Sequence, residues 1–329
     1  MTLSISVIIP VYNAERFVGE AVASALALPA VGEVILVEDA SPDGALAVCE
    51  ALEKAHDRVR LLRHPDGGNH GAGASRNLGI EAARRPLIAF LDADDYYLPD
   101  RFDRALEILE ADPSIDGVYD AVGTVCETEE AAAWWRENRK EMALTTVSEA
   151  VAPEDLFEAL FANRYGMIHT DGIVVRREAF DRAGGFPVQL RMSQDICMWW
   201  KLALVSRLAG GVLDRAVAIR RVHGENRIIR SGGRRGYYEY LARRELLRWL
   251  PPEHRTAARV ERIRTSMVNT WRTLVGPQYP AWQRRVRYWG FLAGVAAQDP
   301  SSLGDGYFRH CMKEALGLLA LRKALRGQR

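Results

Sequence analysis

The sequence contains few cysteines and no long uninterrupted apolar run. Its four cysteines, among 329 residues, are scattered and show no pair at the short spacing of a metal-binding motif. We therefore expect reduced thiols, and the pattern argues against a disulfide scaffold or a cysteine-ligated metal centre. No run of about 18 uncharged apolar residues occurs, so no membrane-spanning helix is expected. The first residues reach a strand pattern at once, without the layout of a signal peptide, which predicts a cytoplasmic protein.

The sequence also lacks a large net charge, but only because two oppositely charged segments cancel. The formal net charge is +1. Residues 223–329 contain 21 Lys and Arg against 8 Asp and Glu, whereas residues 1–222 contain 23 against 35. Such a division predicts a basic tail that faces a polyanion or an anionic membrane surface. No nucleic-acid recognition motif accompanies the charge, so nucleic acid is not expected as a partner.

A glycine-rich loop, residues 66–73, lacks the features of the two common nucleotide-binding fingerprints. It does not end in Gly-Lys-Ser/Thr, as a P-loop does, and it follows the third predicted strand instead of the first. The sequence therefore argues against a P-loop enzyme and gives only weak support to a dinucleotide-binding domain.

Apolar runs of strand length alternate with segments of helical periodicity through the N-terminal part of the chain. The predicted strands are Ile5–Val11, Glu33–Val37, Val59–Leu62 and Leu87–Leu91. Continuous apolar runs are typical of strands that are buried on both faces. Alternating strands and helices predict an α/β fold with a parallel, doubly wound sheet, in which ligands collect at the carboxyl ends of the strands.

Three carboxylates follow the fourth predicted strand, at Asp92, Asp94 and Asp95, with only Ala93 between them. Clustered anions repel one another, and a bound cation relieves that repulsion. Oxygen ligands of this kind suit Mg²⁺ or Mn²⁺, which bind through a few carboxylates and through substrate phosphates. The acidic motif, residues 92–95, therefore predicts a metal–phosphate site. The alternative is a solvated turn in which one of the aspartates caps a helix.

Polar side chains also follow the first two predicted strands, as Tyr12 and Asn13 and as Glu38 and Asp39. An aromatic ring can stack on a base, a carboxylate can accept hydrogen bonds from a base or a ribose, and a metal can hold a diphosphate. Arg76, at the start of a predicted helix, adds positive charge beside that diphosphate. Each residue also has a structural explanation, as a packed ring, a solvated turn or a surface charge. Their placement at successive strand ends favours a nucleotide site.

Seven ordered segments resemble family 2 glycosyltransferases of the GT-A fold. They are Ile9–Asn13, Val37–Gly44, Gly73–Gly79, Phe90–Asp95, Ile173–Phe186, Gln194–Trp199 and Arg221–Asn226. The resemblance covers roughly residues 3–228. It implies an α/β catalytic domain over residues 1–228, with a central, mostly parallel sheet between helices. Residues 229–329 are then a basic helical C-terminal extension.

The resemblance implies the substrates and their binding residues. The donor is a nucleotide-sugar, expected to be UDP-linked, and the acceptor is a hydroxyl of a saccharide, a lipid-linked molecule or a protein. The implied donor-binding residues are Pro10, Val11, Tyr12, Asn13, Glu38, Asp39, Ser41, Arg76, Asp92, Ala93 and Asp94. The implied biological role is the synthesis of a cell-surface polysaccharide or glycan.

The resemblance also assigns the metal, the base and the acceptor side. Mn²⁺ or Mg²⁺ is implied as cofactor, and its ligands are drawn from Asp94, Asp95 and His223. Asp195 matches the catalytic base of the family. The residues placed on the acceptor side are His169, Gln194 and Trp199.

Two positions depart from the family pattern. Glu38 stands where an aspartate is common, and this longer carboxylate still accepts a hydrogen bond. Gln194 stands where a glutamate usually precedes the base, which removes a charge and leaves Asp195 as the only candidate base. Asp195 also has a structural alternative, as the N-cap of a helix over Ile196–Leu204.

Inverting transfer needs one carboxylate to deprotonate the acceptor hydroxyl. A metal that stabilises the leaving nucleoside diphosphate makes a second protein acid unnecessary. A glycosidase, by contrast, needs a carboxylate pair around the scissile bond. Two alternatives stay open: a non-catalytic nucleotide-sugar-binding protein, and an Asp-x-Asp phosphohydrolase, although Tyr96 stands where that class usually has Thr or Val.

The segments outside the motifs permit two interpretations each. Trp134 and Trp135 lie in a polar segment and either stack on a sugar or pack internally. The tail either caps the catalytic domain with helices or binds anionic lipid peripherally at the inner face of the membrane. The residues that favour lipid are Trp282, Arg284, Arg285, Arg287, Trp289 and 322–329. The oligomeric state is not predicted.

Overall fold

The chain forms two compact units, residues 1–230 and 231–329. The computed structural model describes residues 3–139, 144–224, 226, 235–274, 281–298, 303, 309 and 311–313. The boundary expected from the sequence, between residues 228 and 229, lies two residues before the boundary between the units.

The first unit is built on a seven-stranded sheet with the strand order β10-β6-β9-β4-β1-β2-β3. Its strands are β1 (Ile5–Val11), β2 (Val31–Glu38), β3 (Val59–Arg63), β4 (Leu87–Phe90), β6 (Gly117–Tyr119), β9 (Ile173–Arg176) and β10 (Leu208–Gly210). β1, β2, β3 and β4 run parallel to one another, and so do β6 and β10. β9 runs antiparallel to both of its neighbours. The sheet is therefore mostly parallel, as predicted.

A second, four-stranded sheet has the order β5-β11-β7-β8. Its strands are β5 (Tyr96–Tyr97), β7 (Val122–Cys126), β8 (Leu144–Thr145) and β11 (Ala218–Val222). β11 pairs antiparallel with β5, directly after the acidic motif, and parallel with β7. This small sheet was not predicted from the sequence.

Helices cover both faces of the large sheet. The helices of the first unit are α1 (Val18–Leu26), α2 (Ala45–Ala55), α3 (Ala72–Ala82), α4 (Asp103–Ala111), α5 (Glu129–Arg139), α6 (Leu156–Phe161), α7 (Arg177–Ala183) and α8 (Gln194–Val205). Side chains of α1, α2 and α4 form one continuous core with Val7, Ile9 and Leu36. Successive strand residues point to opposite faces, so Ile8 faces α3 instead. There, a Cβ on Gly79 would lie 2.4 Å from Ile8 Cγ2, so only glycine permits this approach.

The second unit contains α9 (Arg235–Trp249), α10 (Ala257–Leu274) and α11 (Ala281–Gln298). The apolar spacing in the tail predicts helices over 260–274 and 282–297, which agree with α10 and α11. A third predicted helix, over 308–325, lies mostly outside the described residues. Leu246 of α9 and Ile263 of α10 are fully buried, and the rings of Tyr240 and Phe291 meet with centroids 5.0 Å apart. Within the described residues, none of the helices has the length and apolarity needed to cross a membrane.

Candidate active site

The carboxyl ends of β1 and β2 form an exposed edge of the site. Tyr12, the first residue after β1, is 47% exposed. The N–H of Asn13 donates to Ser41 Oγ at 3.2 Å, which ties the two strand ends together. Asn13 and Ala40 both have a positive φ, of 54° and 56°. A left-handed alanine is uncommon and costs free energy, and such strain is concentrated at functional sites.

Glu38 and Asp39, which the sequence assigns to donor binding, are buried beside this open edge. Glu38 is 1% exposed; its Oε1 accepts the N–H of Ser41, and its Oε2 accepts Nε of Arg63 at 3.1 Å. Asp39 is 2% exposed, and its two oxygens accept the N–H groups of His70 and Gly71 at 2.7 Å each. Both carboxylates therefore hold the surrounding loops in place.

Arg76 lies on α3 beneath the edge and is 3% exposed. Its Nη2 donates to Asp92 Oδ1 at 2.6 Å, and its guanidinium carbon lies 5.5 Å from the ring centroid of Phe186. Its Nε and Nη1 are buried, and nothing in the described part of the chain accepts a hydrogen bond from them. Buried donors are almost always satisfied, and a guanidinium whose Nε and Nη1 lack acceptors is suited to an anionic ligand.

Asp94 and His223 come together at the edge, although 129 positions separate them. Asp94 Oδ2 lies 3.0 Å from His223 Nε2 and accepts Nδ2 of Asn226 at 2.9 Å. The Asp94 side chain keeps 28% of its exposure, and the ring of Phe17 packs on His223 at 4.8 Å. Adjacent ligands of an octahedral cation with bonds of about 2.1 Å are about 3.0 Å apart. The pair therefore fits Mn²⁺ or Mg²⁺, with coordination positions left for phosphate oxygens.

Asp95, His169 and Asp171 form a buried triad whose ligand atoms lie within 4.8 Å of one another. Asp95 Oδ1 accepts the N–H of Arg221 at 2.7 Å, and Asp171 Oδ1 accepts the N–H of Asp92 at 3.0 Å. The three residues are also a possible metal-binding set, and they include the predicted ligand Asp95.

The two carboxylates of the buried triad differ in their affinity for a proton. Burial, followed by the charges of Asp171 and Asp94, raises the pKa of Asp95 well above its usual range. Burial also raises the pKa of Asp171, but His169 and hydrogen bonds from His169, Asp95 and the Asp92 N–H outweigh it and lower that pKa to about 2. Asp95 therefore has the higher affinity for a proton of the two carboxylates.

His169, which the sequence places on the acceptor side, is buried at 8% exposure. Arg220 Nε donates to His169 Nε2 at 2.8 Å, and His169 Nδ1 lies 3.2 Å from Asp171 Oδ2. His169 Nδ1 also accepts the N–H of Asp171 at 3.2 Å. Both ring nitrogens therefore already have protein partners.

Asp195 is partly exposed in the first turn of α8. The residue at the N-cap is Ser193, with a φ of 60°, so Asp195 is not the N-cap of this helix. Gln194 beside it is 8% exposed, and its Oε1 is buried with no hydrogen-bond partner in the described ranges. The Gln194 side chain packs on Gly73 of α3.

The side chains of Trp199 and Trp135, for which the sequence suggested contact with a sugar or acceptor, are both buried. Trp199, expected on the acceptor side, is 2% exposed and packs against Phe90 and Phe186 with ring centroids 6.1 and 5.7 Å apart. Its ring therefore offers an acceptor no surface. Trp135 is 6% exposed and packs with Ala131 and Val222. Of the two interpretations for Trp135, packing is the one that the structure supports.

The sequence did not identify Phe17 or the backbone of Arg221 as parts of this site. Asn226 appears only as the last residue of a motif, and Asp171 only as the end of a segment, 165–171, that the resemblance places along the acceptor pocket. The pairing of Asp171 with the Asp92 N–H, 79 positions away, is not encoded by any local pattern. The motif that contains His223 and Asn226 is the one signal that could have identified Asn226 as a partner of Asp94.

Comparison with solved structures identifies the fold. Staphylococcus aureus TarS 1-349 in complex with UDP-GlcNAc matches with a TM-score of 0.66 and 18% identity, over 95% of this chain and 89% of that chain. The mannosyltransferase PcManGT from Pyrobaculum calidifontis, in complex with GDP-Man and Mn²⁺, matches with a TM-score of 0.52 and 17% identity, over 96% and 85%. The first unit therefore has the GT-A architecture predicted from the sequence.

Comparison with sequences identifies the family. An uncharacterised glycosyltransferase of Nostoc sp. is 28% identical over 68% of this chain and 66% of its own length. The succinoglycan biosynthesis protein ExoU of Rhizobium meliloti is 37% identical over 31% of this chain and 29% of its own length. The matched stretches thus span less than two thirds of these relatives. The family model for glycosyl transferase family 2 matches residues 6–182, more than half of the chain, and the chain therefore belongs to glycosyl transferase family 2.

Proposed function

We propose that the protein is a metal-dependent, inverting glycosyltransferase that moves a sugar from a UDP-linked donor to an acceptor hydroxyl. The observation that carries the proposal is the Asp94–His223 pair, in which Asp94 Oδ2 and His223 Nε2 are 3.0 Å apart. In the same acidic motif, Asp92 accepts a hydrogen bond from Arg76. The two unpaired N–H groups of Arg76 suit the oxygens of a diphosphate. The solved TarS structures with UDP and with UDP-GlcNAc support the choice of nucleotide.

Each residue of the donor site has a proposed role. Tyr12 stacks on the base beside the backbone of Pro10 and Val11, while Glu38 and Asp39 keep the adjoining loops in shape. Asp94 and His223 would hold Mn²⁺ or Mg²⁺, which supplies Lewis-acid stabilisation of the diphosphate when it is bound.

Asp195 is the proposed general base. Its carboxylate takes the proton of the acceptor hydroxyl while that oxygen forms a bond to the anomeric carbon of the donor. The bond from that carbon to the diphosphate oxygen breaks on the opposite face, which inverts the configuration. The nucleoside diphosphate leaves with the bonding electron pair, and the proton stays on Asp195.

The biological role that we propose is the synthesis of a surface polysaccharide or glycan. The names of two relatives support it: the succinoglycan biosynthesis protein of Rhizobium meliloti, and a putative teichuronic acid biosynthesis glycosyltransferase of Bacillus subtilis that is 34% identical over 32% of this chain. The acceptor in such pathways is a saccharide or a lipid-linked saccharide.

The test is donor hydrolysis across a panel of nucleotide-sugars, with and without Mn²⁺. We expect Mn²⁺-dependent release of one nucleoside diphosphate by the wild type. The Asp94→Ala variant should lose this release, because it lacks a proposed metal ligand. Asp57→Ala, an exposed aspartate outside the site, is the matched control and should retain it. Release without added metal, or equal release by Asp94→Ala, would contradict the proposal.

Gln194 favours one second candidate, a nucleotide-sugar-binding protein without turnover, because the charge that usually precedes the base is missing. In the same experiment, that protein would bind UDP in the presence of Mn²⁺ and release nothing. Cleavage of phosphate monoesters would instead indicate the phosphohydrolase alternative.

We also propose that the second unit binds anionic lipid at the cytoplasmic face of a membrane. On α11, Val286 is 65% and Trp289 is 43% exposed, and the exposed Arg287 lies between them. Exposed apolar side chains next to a positive charge are typical of helices that lie on anionic membranes. The side chains of Trp282, Arg284 and Arg285 and residues 322–329, which the sequence also implicates, lie outside the described part of the chain.

A further inference from the structure

We propose that the buried triad is not a metal site but a positioning device that holds Asp94 and His223 at the separation a metal needs. This inference rests on the proposed function, since it concerns the same metal pair. It assigns Asp95 a role different from that of its neighbour Asp94. It also gives Asp171 a role in the reaction without contact to substrate.

The first step concerns the strand that carries His223. The β5–β11 ladder ends with Tyr96 opposite Ile219. Beyond that pair, a side chain continues the hydrogen bonding of the ladder. Asp95 Oδ1 accepts the N–H of Arg221 at 2.7 Å, as a backbone carbonyl oxygen would in a longer strand. Arg221 lies two positions before His223. Asp95 therefore joins the acidic motif to the strand end that carries His223.

The second step concerns the other end of the acidic motif. Asp171 Oδ1 accepts the N–H of Asp92 at 3.0 Å, and the Asp171 side chain also hydrogen-bonds to Asp95. Asp171 itself is held by Arg101, whose Nε donates to its carbonyl oxygen at 2.8 Å. Asp94 thus lies between two residues, Asp92 and Asp95, that are both tied to one fully buried carboxylate.

The third step is the argument against a metal in the buried triad. His169 Nε2 meets Nε of Arg220 at 2.8 Å and His169 Nδ1 meets the N–H of Asp171 at 3.2 Å, so both nitrogens already face protein N–H donors that a cation would have to displace. The Arg101 and Arg220 guanidinium groups adjoin the triad, and they repel a divalent cation at short range in a low-dielectric interior. Asp95 and Asp171 are 3% and 0% exposed, so their carboxylates are less accessible to donor phosphates than the Asp94 side chain, which is 28% exposed.

The experiment compares the same substitution at two adjacent residues. Asp94→Asn removes a metal ligand, so we expect the Kd for Mn²⁺, measured by calorimetry with UDP present, to rise more than about a hundredfold. Asp95→Asn keeps an oxygen that accepts the Arg221 N–H, and its N–H replaces the proton that Asp95 shares with Asp171, so the Kd should change by less than about threefold. A loss of Mn²⁺ affinity in Asp95→Asn equal to that in Asp94→Asn would make Asp95 a ligand and overturn the inference.

Asp171 is tested with a pair of substitutions. Asp171→Ala leaves the Asp92 N–H without its acceptor and should raise the Kd for Mn²⁺ and the donor KM by about tenfold, as loss of an outer partner of a metal ligand does. The chemical step keeps its base, so kcat should change little. Asp171→Asn retains an acceptor oxygen and should restore most of the affinity. A fall in kcat with unchanged KM, or no rescue by asparagine, would contradict a positioning role.

Hydrogen exchange tests the inference even if the protein binds neither Mn²⁺ nor UDP, an outcome that would refute the proposed function alone. In the absence of ligand, Asp171→Ala should accelerate amide exchange in both segments that the buried triad connects, 92–97 and 218–223, by about tenfold, the effect of losing a hydrogen bond to a charged group. Exchange in β2 should not change. Unchanged exchange in either connected segment, or global acceleration, would overturn the inference.

Discussion

At the scale of the residue, the side chains with proposed chemical roles stand where regular structure begins or ends. Tyr12 follows β1, Asp94 follows β4, His223 follows β11, and Asp195 lies in the first turn of α8. Backbone groups at these positions lack the partners that a continuing strand or helix supplies. Polar side chains can therefore occupy them without disturbing the apolar core, which occupies the strand interiors.

The first prediction at this scale concerns Asp195. Asp195→Asn should lower kcat for donor hydrolysis by about 10²–10⁴, the usual contribution of a general base, and leave the Kd for UDP nearly unchanged. Stopped enzymatic assays and calorimetry measure the two quantities. Asp181→Asn, an exposed aspartate on α7, is the control and should behave as the wild type. A lower melting temperature with an unchanged kcat would assign Asp195 a structural role instead.

The sequence predicted the positions of these residues better than their orientations. Placement after an apolar run follows from local periodicity, which identified Tyr12 and Asp94. The inward orientation of Asp39 depends on the N–H groups of His70 and Gly71, 31 and 32 positions away. The burial of His169 depends on Arg220, 51 positions away. No local pattern encodes these pairings.

At the scale of the element, strands β1 to β4 agree with the predicted strands to within two residues at each end. Their continuous apolar runs require burial on both faces, which a sheet between helices provides. The antiparallel direction of β9 could not be predicted, because a short apolar run such as Ile173–Val175 does not specify the direction of its strand. The two-residue strands β5 and β8 are too short for any periodicity and form only through their partners.

The carboxylate of Glu33, which joins β1, β2 and β3, leads to a prediction about the pH dependence of stability. Glu33, on β2, is 4% exposed and accepts hydrogen bonds from Ser6 Oγ, the Arg84 N–H and Arg60 Nη1 at 2.7, 2.6 and 3.0 Å. Burial raises the pKa of Glu33, but these hydrogen bonds and the Arg60 charge lower it overall. A lowered pKa in the folded state stabilises the protein above the unfolded pKa, and the effect is lost as pH falls through the folded pKa.

Glu33→Gln should therefore decrease the free energy of unfolding by about 1–3 kcal/mol at pH 7. The difference from the wild type should stay constant from pH 7 down to about 4.5, the ordinary glutamate pKa, and shrink as the pH falls further, because Glu33 becomes protonated in the wild type. Urea denaturation at several pH values measures both effects. Glu50→Gln, an exposed glutamate on α2, should show neither. A difference that is constant with pH would exclude the ionised carboxylate as the stabilising species.

At the scale of the whole molecule, the chain combines an acidic catalytic unit with a basic helical one. The near-zero net charge conceals this division, which is visible only when the two segments are counted separately. Charge of one sign on a helical unit increases its association with an anionic surface, and salt weakens that association.

The whole-molecule prediction is that the full chain binds vesicles that contain phosphatidylserine, and that it does not bind vesicles of phosphatidylcholine alone. Flotation at low and high salt measures the binding. The double variant Val286→Ser and Trp289→Ser should weaken binding by about tenfold, since each buried apolar side chain contributes about 1 kcal/mol or more. Val188→Ser, at an exposed valine of the first unit, is the control. Vesicle binding by the double variant equal to that of the wild type would contradict the proposed role of α11 in lipid binding.

The sequence by itself determined the class of fold, the family and the positions of Tyr12, Asp94, His223 and Asp195, because each depends on a local apolar run or a short ordered motif. Only the tertiary structure decided which carboxylates face the open edge and which lie beneath it. Asp94 and Asp95 are adjacent and chemically identical, yet one meets His223 and the other meets Asp171 and the backbone of Arg221. Those partners lie more than 70 positions away along the chain, and packing alone brings them to either side of the acidic motif.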